Sequence, residues 1–245
     1  MGCSTIPIGS KGERNLSNMQ PEYYHGKRDA YELLKIFFFS FYNTAVTEER
    51  KDFTKIFVEL NQERLGKFKK WVFLEGMLFG TDVKWWNSKE KRKRSHEGVD
   101  LYFYQSALGG IERLKQGLFV PSFLSGEVLS FVEDYLGKSL FVFSFPDIVW
   151  AFGHIELDGG VKKGKQINKG EPIGRINRER ANMVPAHMHI SLAKLISDLP
   201  SRLDWSVIVK KDLFLLLDPM PYITDDYEIL DESDFGLPVK EKNEK

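Results

Sequence analysis

Four of the five histidines fall in three short segments, His96-Glu-Gly-Val-Asp100, Phe152-Gly-His154 and His187-Met-His189. Imidazole and carboxylate are the groups that hold borderline-soft divalent ions and move protons near neutral pH. In a strand, residues i and i+2 project from one face, so His187 and His189 converge on one place. Alone, that pair also fits two solvated imidazoles on an exposed edge strand, and His-x-x-x-Asp alone says less still. Joined with His154, the segments supply nitrogen and oxygen ligands of the kind Zn²⁺ prefers, with a coordination position left for water. A zincin-type H-E-x-x-H helix is excluded, because position 100 is Asp and Gly98 interrupts the helix. Glu97 therefore reads as a solvated neighbour rather than a base.

The elements that must position these groups divide the chain. Residues 1–25 are polar and rich in turn formers, as a tether is. Residues 26–78 read as a helical region, with helical spacing from Asp29 to about Leu74 and a helix start at Thr47-Glu-Glu. From 79 to 223 the pattern changes to short aromatic and β-branched runs: Val99–Tyr104, Val128–Phe131, Leu140–Phe145, Ile148–Phe152 and His187–Leu192. Glycines from Gly159 to Gly174 supply hairpin turns rather than a phosphate cradle, since neither GxGxxG nor GxxxxGK[ST] occurs. Residues 224–245 form a charged tail. The expected fold is α+β: an N-terminal helical region followed by an antiparallel β-sheet domain.

Basic and acidic residues balance at 35 each, so no bulk electrostatics point to nucleic acid. The run Lys89-Glu-Lys-Arg-Lys-Arg94 reads as a solvated loop. Trp85-Trp86 reads as packing against a sheet, with a groove wall as the functional alternative. Cys3 is the single cysteine, which excludes an internal disulfide and any cysteine-based metal site. Gly2-Cys3 fits the end of a lipoprotein cleavage site, which would attach the chain to a membrane through lipidated Cys3; N-myristoylation is disfavoured by Ile6.

The segments HEGVDL (96–101), FGHIEL (152–157), VKKGKQINKGEPIG (161–174), AHMHISL (186–192) and the closing Leu217-Asp-Pro219 resemble the LytM or lysostaphin-type zinc endopeptidases, which cut peptides in bacterial cell walls. The resemblance covers residues 79–222 and implies a catalytic β domain of that type. It implies one Zn²⁺ held by His96, Asp100 and His189, with His154 and His187 as catalytic residues beside the metal-bound water. His187 is then the first choice for general base, and His154 holds the water or stabilises the oxyanion, although the two can exchange. The implied substrate is a peptidoglycan stem peptide or cross-bridge, hence a location in the cell envelope or periplasm. A non-catalytic relative that binds cell wall or regulates another hydrolase is the alternative. Three departures stand out. Phe152 occupies a position where the family often has Tyr, and residues 177–184 replace a Gly- and Thr-rich loop. Extra chain between Asp100 and Val120 is available to rim the groove.

Overall fold

The strands that carry the histidine motifs lie side by side at the centre of one sheet. In the computed structural model, residues 52–86, 90–177, 185 and 187–231 are described. The expected tether, the helical spacing before Asp52, the helix start at Thr47, Cys3, the loop at 178–184 and the tail beyond Asp231 lie outside these residues.

Strand β8 (Ile148–Leu157) pairs antiparallel with β7 (Lys138–Ser144) on one side and β11 (Met188–Leu195) on the other. β6 (Gly126–Glu133) extends the sheet beyond β7, and β12 (Phe214–Leu217) lies outside the second half of β11. The first half of β11 pairs instead with β2 (Gly98–Leu101). With β5 (Phe119–Pro121), β9 (Gln166–Ile167) and β10 (Pro172–Ile176), this makes a nine-stranded sheet. Gly164 and Gly170 both have φ near +80°, so the glycine-rich stretch does supply the left-handed turns around β9 and β10.

Period-2 alternation gives the central strands two buried faces. Leu140, Val142, Trp150, Phe152, Ile190 and Leu192 enter the larger core, whereas Phe141, Val149, Ala151 and Ala193 enter a second one with Leu203, Ile208 and Phe214. Helix α1 (Asp52–Leu65) closes part of the larger core with Phe53 and Phe57, which are fully buried. Asn61 ties that helix to β5: its amide donates to the Phe57 and Phe119 carbonyls, each at 2.9 Å, and accepts from the Phe119 N–H at 2.8 Å.

The helical region expected up to residue 78 ends at Leu65. Gly66 takes φ +63°, which stops the helix, and Phe68–Phe73 is strand β1. A second sheet of four strands orders Tyr227–Ile229 (β13), β1, Phe103–Ser106 (β3) and Ile111–Arg113 (β4). Only the β1–β13 pairing is parallel among the described strands. Residues Tyr227–Ile229, expected in the charged tail, are thus paired. The extra chain after Asp100 builds β3 and β4 and does not line the cavity described next.

Candidate metal centre

Strand register brings the sequence motifs together. His189 lies directly opposite Asp100 on β2 and opposite Gly153 on β8, so three adjacent strands meet at one cross-strand row. His187 and Ser191 share the His189 face by alternation. Gly98 has no room for a side chain, since a Cβ there would sit 2.5 Å from Ser191 Oγ and 2.7 Å from His189 Nε2 and would strike the Ile190 carbonyl. The glycine of His96-Glu-Gly-Val-Asp100 is therefore what lets β2 approach the imidazole.

His154 arrives by a different device. Lys138 pairs with Ile155 but Leu140 pairs with Phe152, so two steps on β7 face three on β8. The extra residue is a β-bulge, and His154 sits in it at φ +64°, a left-handed conformation that non-glycine residues seldom adopt. The bulge turns the imidazole toward the other histidines: its ring centroid lies 4.8 Å from that of His187 and 5.9 Å from that of His189.

Asp100 is the hub. Its Oδ1 is 2.8 Å from His189 Nδ1, 3.3 Å from His96 Nε2 and 3.4 Å from His187 Nε2. His96 Nε2 and His189 Nδ1 are 3.2 Å apart. The other carboxylate oxygen accepts from Trp85 Nε1 at 2.7 Å and from Arg92 Nη2 at 3.4 Å. Burial would push the Asp100 carboxyl up, but the surrounding histidines, through charge and hydrogen bonds, hold it well below the usual carboxylate range. Burial is also the dominant influence on His189. It pushes that imidazole below its ordinary value against the pull of Asp100, so the ring is neutral near pH 7.

The outer ring nitrogens fix which lone pairs face inward. His96 Nδ1 is 3.0 Å from the Leu78 carbonyl and His187 Nδ1 is 2.7 Å from the Pro185 carbonyl. A carbonyl only accepts, so both Nδ1 atoms carry a proton, and it is the neutral form of each ring that would present an Nε2 lone pair to a metal. His189 Nε2 is 2.7 Å from Ser191 Oγ, which can accept its proton and free Nδ1 in the same way. His96 Nε2 lies 3.3 Å from Asp100 Oδ1, so the position between them suits a positive charge, supplied by a proton on the imidazole or by a divalent cation in its place. Donor atoms about 2.0–2.1 Å from a tetrahedral Zn²⁺ would be spaced at about 3.3 Å, close to the spacings of 2.8–3.3 Å found here. His96, Asp100 and His189, all buried, form a cluster compatible with a divalent metal. Ser191→Ala removes the partner that orients His189 and should lower zinc affinity about 10–100-fold, measured by competition with a chromophoric chelator.

A cavity of about 210 Å³ opens over this cluster. All five residues singled out from the sequence, His96, Asp100, His154, His187 and His189, line it. So do Trp86, whose alternative reading was a groove wall, Glu97, read as a solvated neighbour, and four residues that the sequence did not point to as part of a site: Arg92, Asp134, Tyr135 and Trp205. Arg92 belongs to the charge run read as solvated. Its guanidinium instead donates to the Gly76 and Val83 carbonyls at 3.0 and 3.1 Å and lies over the Trp86 ring. Trp85 does pack on aromatic neighbours, Tyr102 and Phe103, and also meets His187 edge-on at 5.3 Å between centroids. Phe152 is buried in the larger core, and the cavity's phenol comes from Tyr135, whose ring meets His154 at 4.8 Å. Although Tyr135 is 47% exposed as a whole, desolvation of its hydroxyl on the cavity side, helped by Asp100 and Asp134, raises that group above its usual value and keeps it protonated.

Burial would likewise raise Asp134, but its contacts with His154 and Ser139 prevail and hold it well below the usual 3.8. A carboxyl depressed in the folded state stabilises the fold above the unfolded pKa and loses that contribution as pH falls. The melting-temperature gap between wild type and Asp134→Asn should therefore be full at pH 6 and shrink below about pH 4. A gap independent of pH would contradict the assignment.

No family model and no curated protein matches the chain. Solved structures do. The catalytic domain of the antimicrobial peptidase lysostaphin from Staphylococcus simulans is 18% identical, with a TM-score of 0.40, over 63% of this chain and 91% of that one. The solution structure of lysostaphin is 18% identical with a TM-score of 0.34, over 44% of this chain and 40% of that one. A zinc-containing peptidase from Vibrio cholerae is 20% identical with a TM-score of 0.36, over 47% of this chain and 31% of that one. The matches thus span less than half the length of the last two. Of these three structures, two are of lysostaphin and the third is of a zinc-containing peptidase.

Proposed function

We propose that this chain is a zinc-dependent endopeptidase that hydrolyses peptide bonds in peptidoglycan stem peptides or cross-bridges. The observation that carries the reading is the convergence of three imidazole nitrogens within 3.4 Å of Asp100 Oδ1, with the outer nitrogens of His96 and His187 pinned to backbone carbonyls. His96, Asp100 and His189 would hold one Zn²⁺. When bound, zinc supplies Lewis acidity toward water and a carbonyl oxygen.

The chain's own groups do the rest. Trp85 and Arg92 occupy one oxygen of Asp100, which leaves the other for the histidine side. His187 and His154 flank the cluster as proton acceptors or donors beside a substrate carbonyl. Tyr135, held protonated, offers a neutral hydrogen-bond donor on the cavity wall. Trp86 and Trp205 add apolar wall to the cavity. The choice of a cell-wall peptide rests on the motif resemblance, and with it go a cell-envelope location and attachment through Cys3.

Purified protein should contain close to one equivalent of zinc. It should release new amine and carboxyl ends from peptidoglycan, detected by mass analysis, and lose that activity with a chelator. Zinc-loaded protein that binds several peptidoglycan chemotypes and leaves them intact would replace this reading with that of a non-catalytic cell-wall binder or regulator.

A further inference from the structure

We infer that Asp134 is a positioning residue that fixes the tautomer and orientation of His154 and thereby makes His154 Nε2 the atom that accepts water's proton. The inference rests on the hydrolase reading above and assigns a role to a residue outside every sequence motif of the site. Asp134 lies between β6 and β7, and its two oxygens are fully engaged. Oδ1 is 3.2 Å from His154 Nδ1 and accepts from the Leu136 N–H at 2.8 Å. Oδ2 accepts from the His154 N–H at 3.0 Å and from Ser139 Oγ at 2.6 Å. Ser139 Oγ is itself fixed by Trp205 Nε1 at 2.8 Å.

Three features point to function rather than hairpin stability. The backbone bond to Oδ2 would be enough to hold the bulge, yet Oδ1 also lies 3.2 Å from the imidazole Nδ1, a charge contact outside hydrogen-bond geometry to a buried nitrogen that has no hydrogen-bond partner. His154 keeps a left-handed φ of +64°, a strained conformation that aims its ring at the cavity. Lastly, the two flanking histidines face different acceptors, His187 Nδ1 a neutral carbonyl at 2.7 Å and His154 Nδ1 a carboxylate at 3.2 Å. A ring that takes a proton at Nε2 becomes a cation, and an ionised partner at Nδ1 stabilises that cation more than a carbonyl does. The Nδ1 proton stays on the ring and Asp134 stays ionised throughout. His187, expected from the sequence as first choice for the base, is left to orient water or substrate.

Asp134→Asn tests this. Either orientation of the Asn amide sets its NH₂ against a backbone N–H; the one that keeps the oxygen on both the His154 N–H and Ser139 gives up only the Leu136 bond, and its NH₂ then faces Nδ1 and selects the opposite tautomer. Nitrogen-15 NMR of the metal-free protein should show His154 protonated at Nδ1 in wild type and at Nε2 in Asp134→Asn. In the zinc-loaded enzyme the variant should lose about 100-fold or more in kcat, with KM and zinc content little changed. In a His154→Asn background, which suits the left-handed backbone, adding Asp134→Asn should cost nothing further. Additive losses, an Nε2-protonated His154 in wild type, or full activity of Asp134→Asn would each overturn the inference. Should Asp134→Asn fail to fold, the wild-type tautomer alone decides. Wild type that cleaves no peptidoglycan would defeat the hydrolase reading, and the tautomer would still report whether Asp134 holds His154.

Discussion

Asp100→Ala is expected to abolish zinc binding and peptide hydrolysis together. One oxygen of Asp100 lies within 3.4 Å of three imidazoles while the other holds Trp85 and Arg92. Loss of an outer-sphere partner costs about 10–100-fold in metal affinity, and loss of a ligand should exceed that. Metal-free protein should suffer too, because Arg92 and Trp85 keep their polar hydrogens in a buried site without their acceptor. Breaking a buried charge pair costs about 3–5 kcal/mol. Arg92 retains two carbonyl partners, so a loss near the lower end, about 3 kcal/mol, is expected in urea denaturation. Stability equal to wild type in the metal-free protein would show that Trp85 and Arg92 do not depend on Asp100.

Gly98→Ala should be nearly as damaging, although it removes no functional group. Its Cβ has no position between β2 and β11 that avoids the Ile190 carbonyl, Ser191 Oγ and His189 Nε2. The obstacle is sheet backbone rather than the flexible end of a side chain, so β2 must move away from β11. Overpacking of this kind costs about 1–3 kcal/mol, occasionally more, and the upper figure applies because main chain is struck. The same displacement carries Asp100 away from His189, its direct cross-strand partner. Zinc affinity should fall in step with stability, measured by calorimetric titration beside thermal melting. Wild-type affinity would mean that the strand spacing does not set the site.

What was legible in the sequence, and what was not, follows from how each feature is encoded. His187 and His189 could be placed on one face because alternation in a strand is local. The antiparallel domain was readable because Val, Ile and aromatic runs were broken by glycine at short intervals. Strand β1 reads as helix in the sequence because Phe68, Trp71 and Val72 fit i, i+3, i+4 spacing as well as they fit a strand; Gly66 is the signal against it. Asp134 and Tyr135 could not be found, since they lie between two strands and reach His154 only through pairing across β7 and β8. Arg92 was concealed in a charge run. Such runs face solvent when nothing captures them, and here two backbone carbonyls, Asp100 and the Trp86 ring do so.

The decisive feature is the meeting of His96 Nε2, Asp100 Oδ1 and His189 Nδ1 at one buried point. Anomalous diffraction at the zinc edge, from crystals grown with one equivalent of the metal, observes that point directly. A single strong peak within bonding distance of His96 Nε2, Asp100 Oδ1 and His189 Nδ1 is predicted. A peak elsewhere with those three atoms unligated, or no peak at full occupancy of the added zinc, would contradict the account.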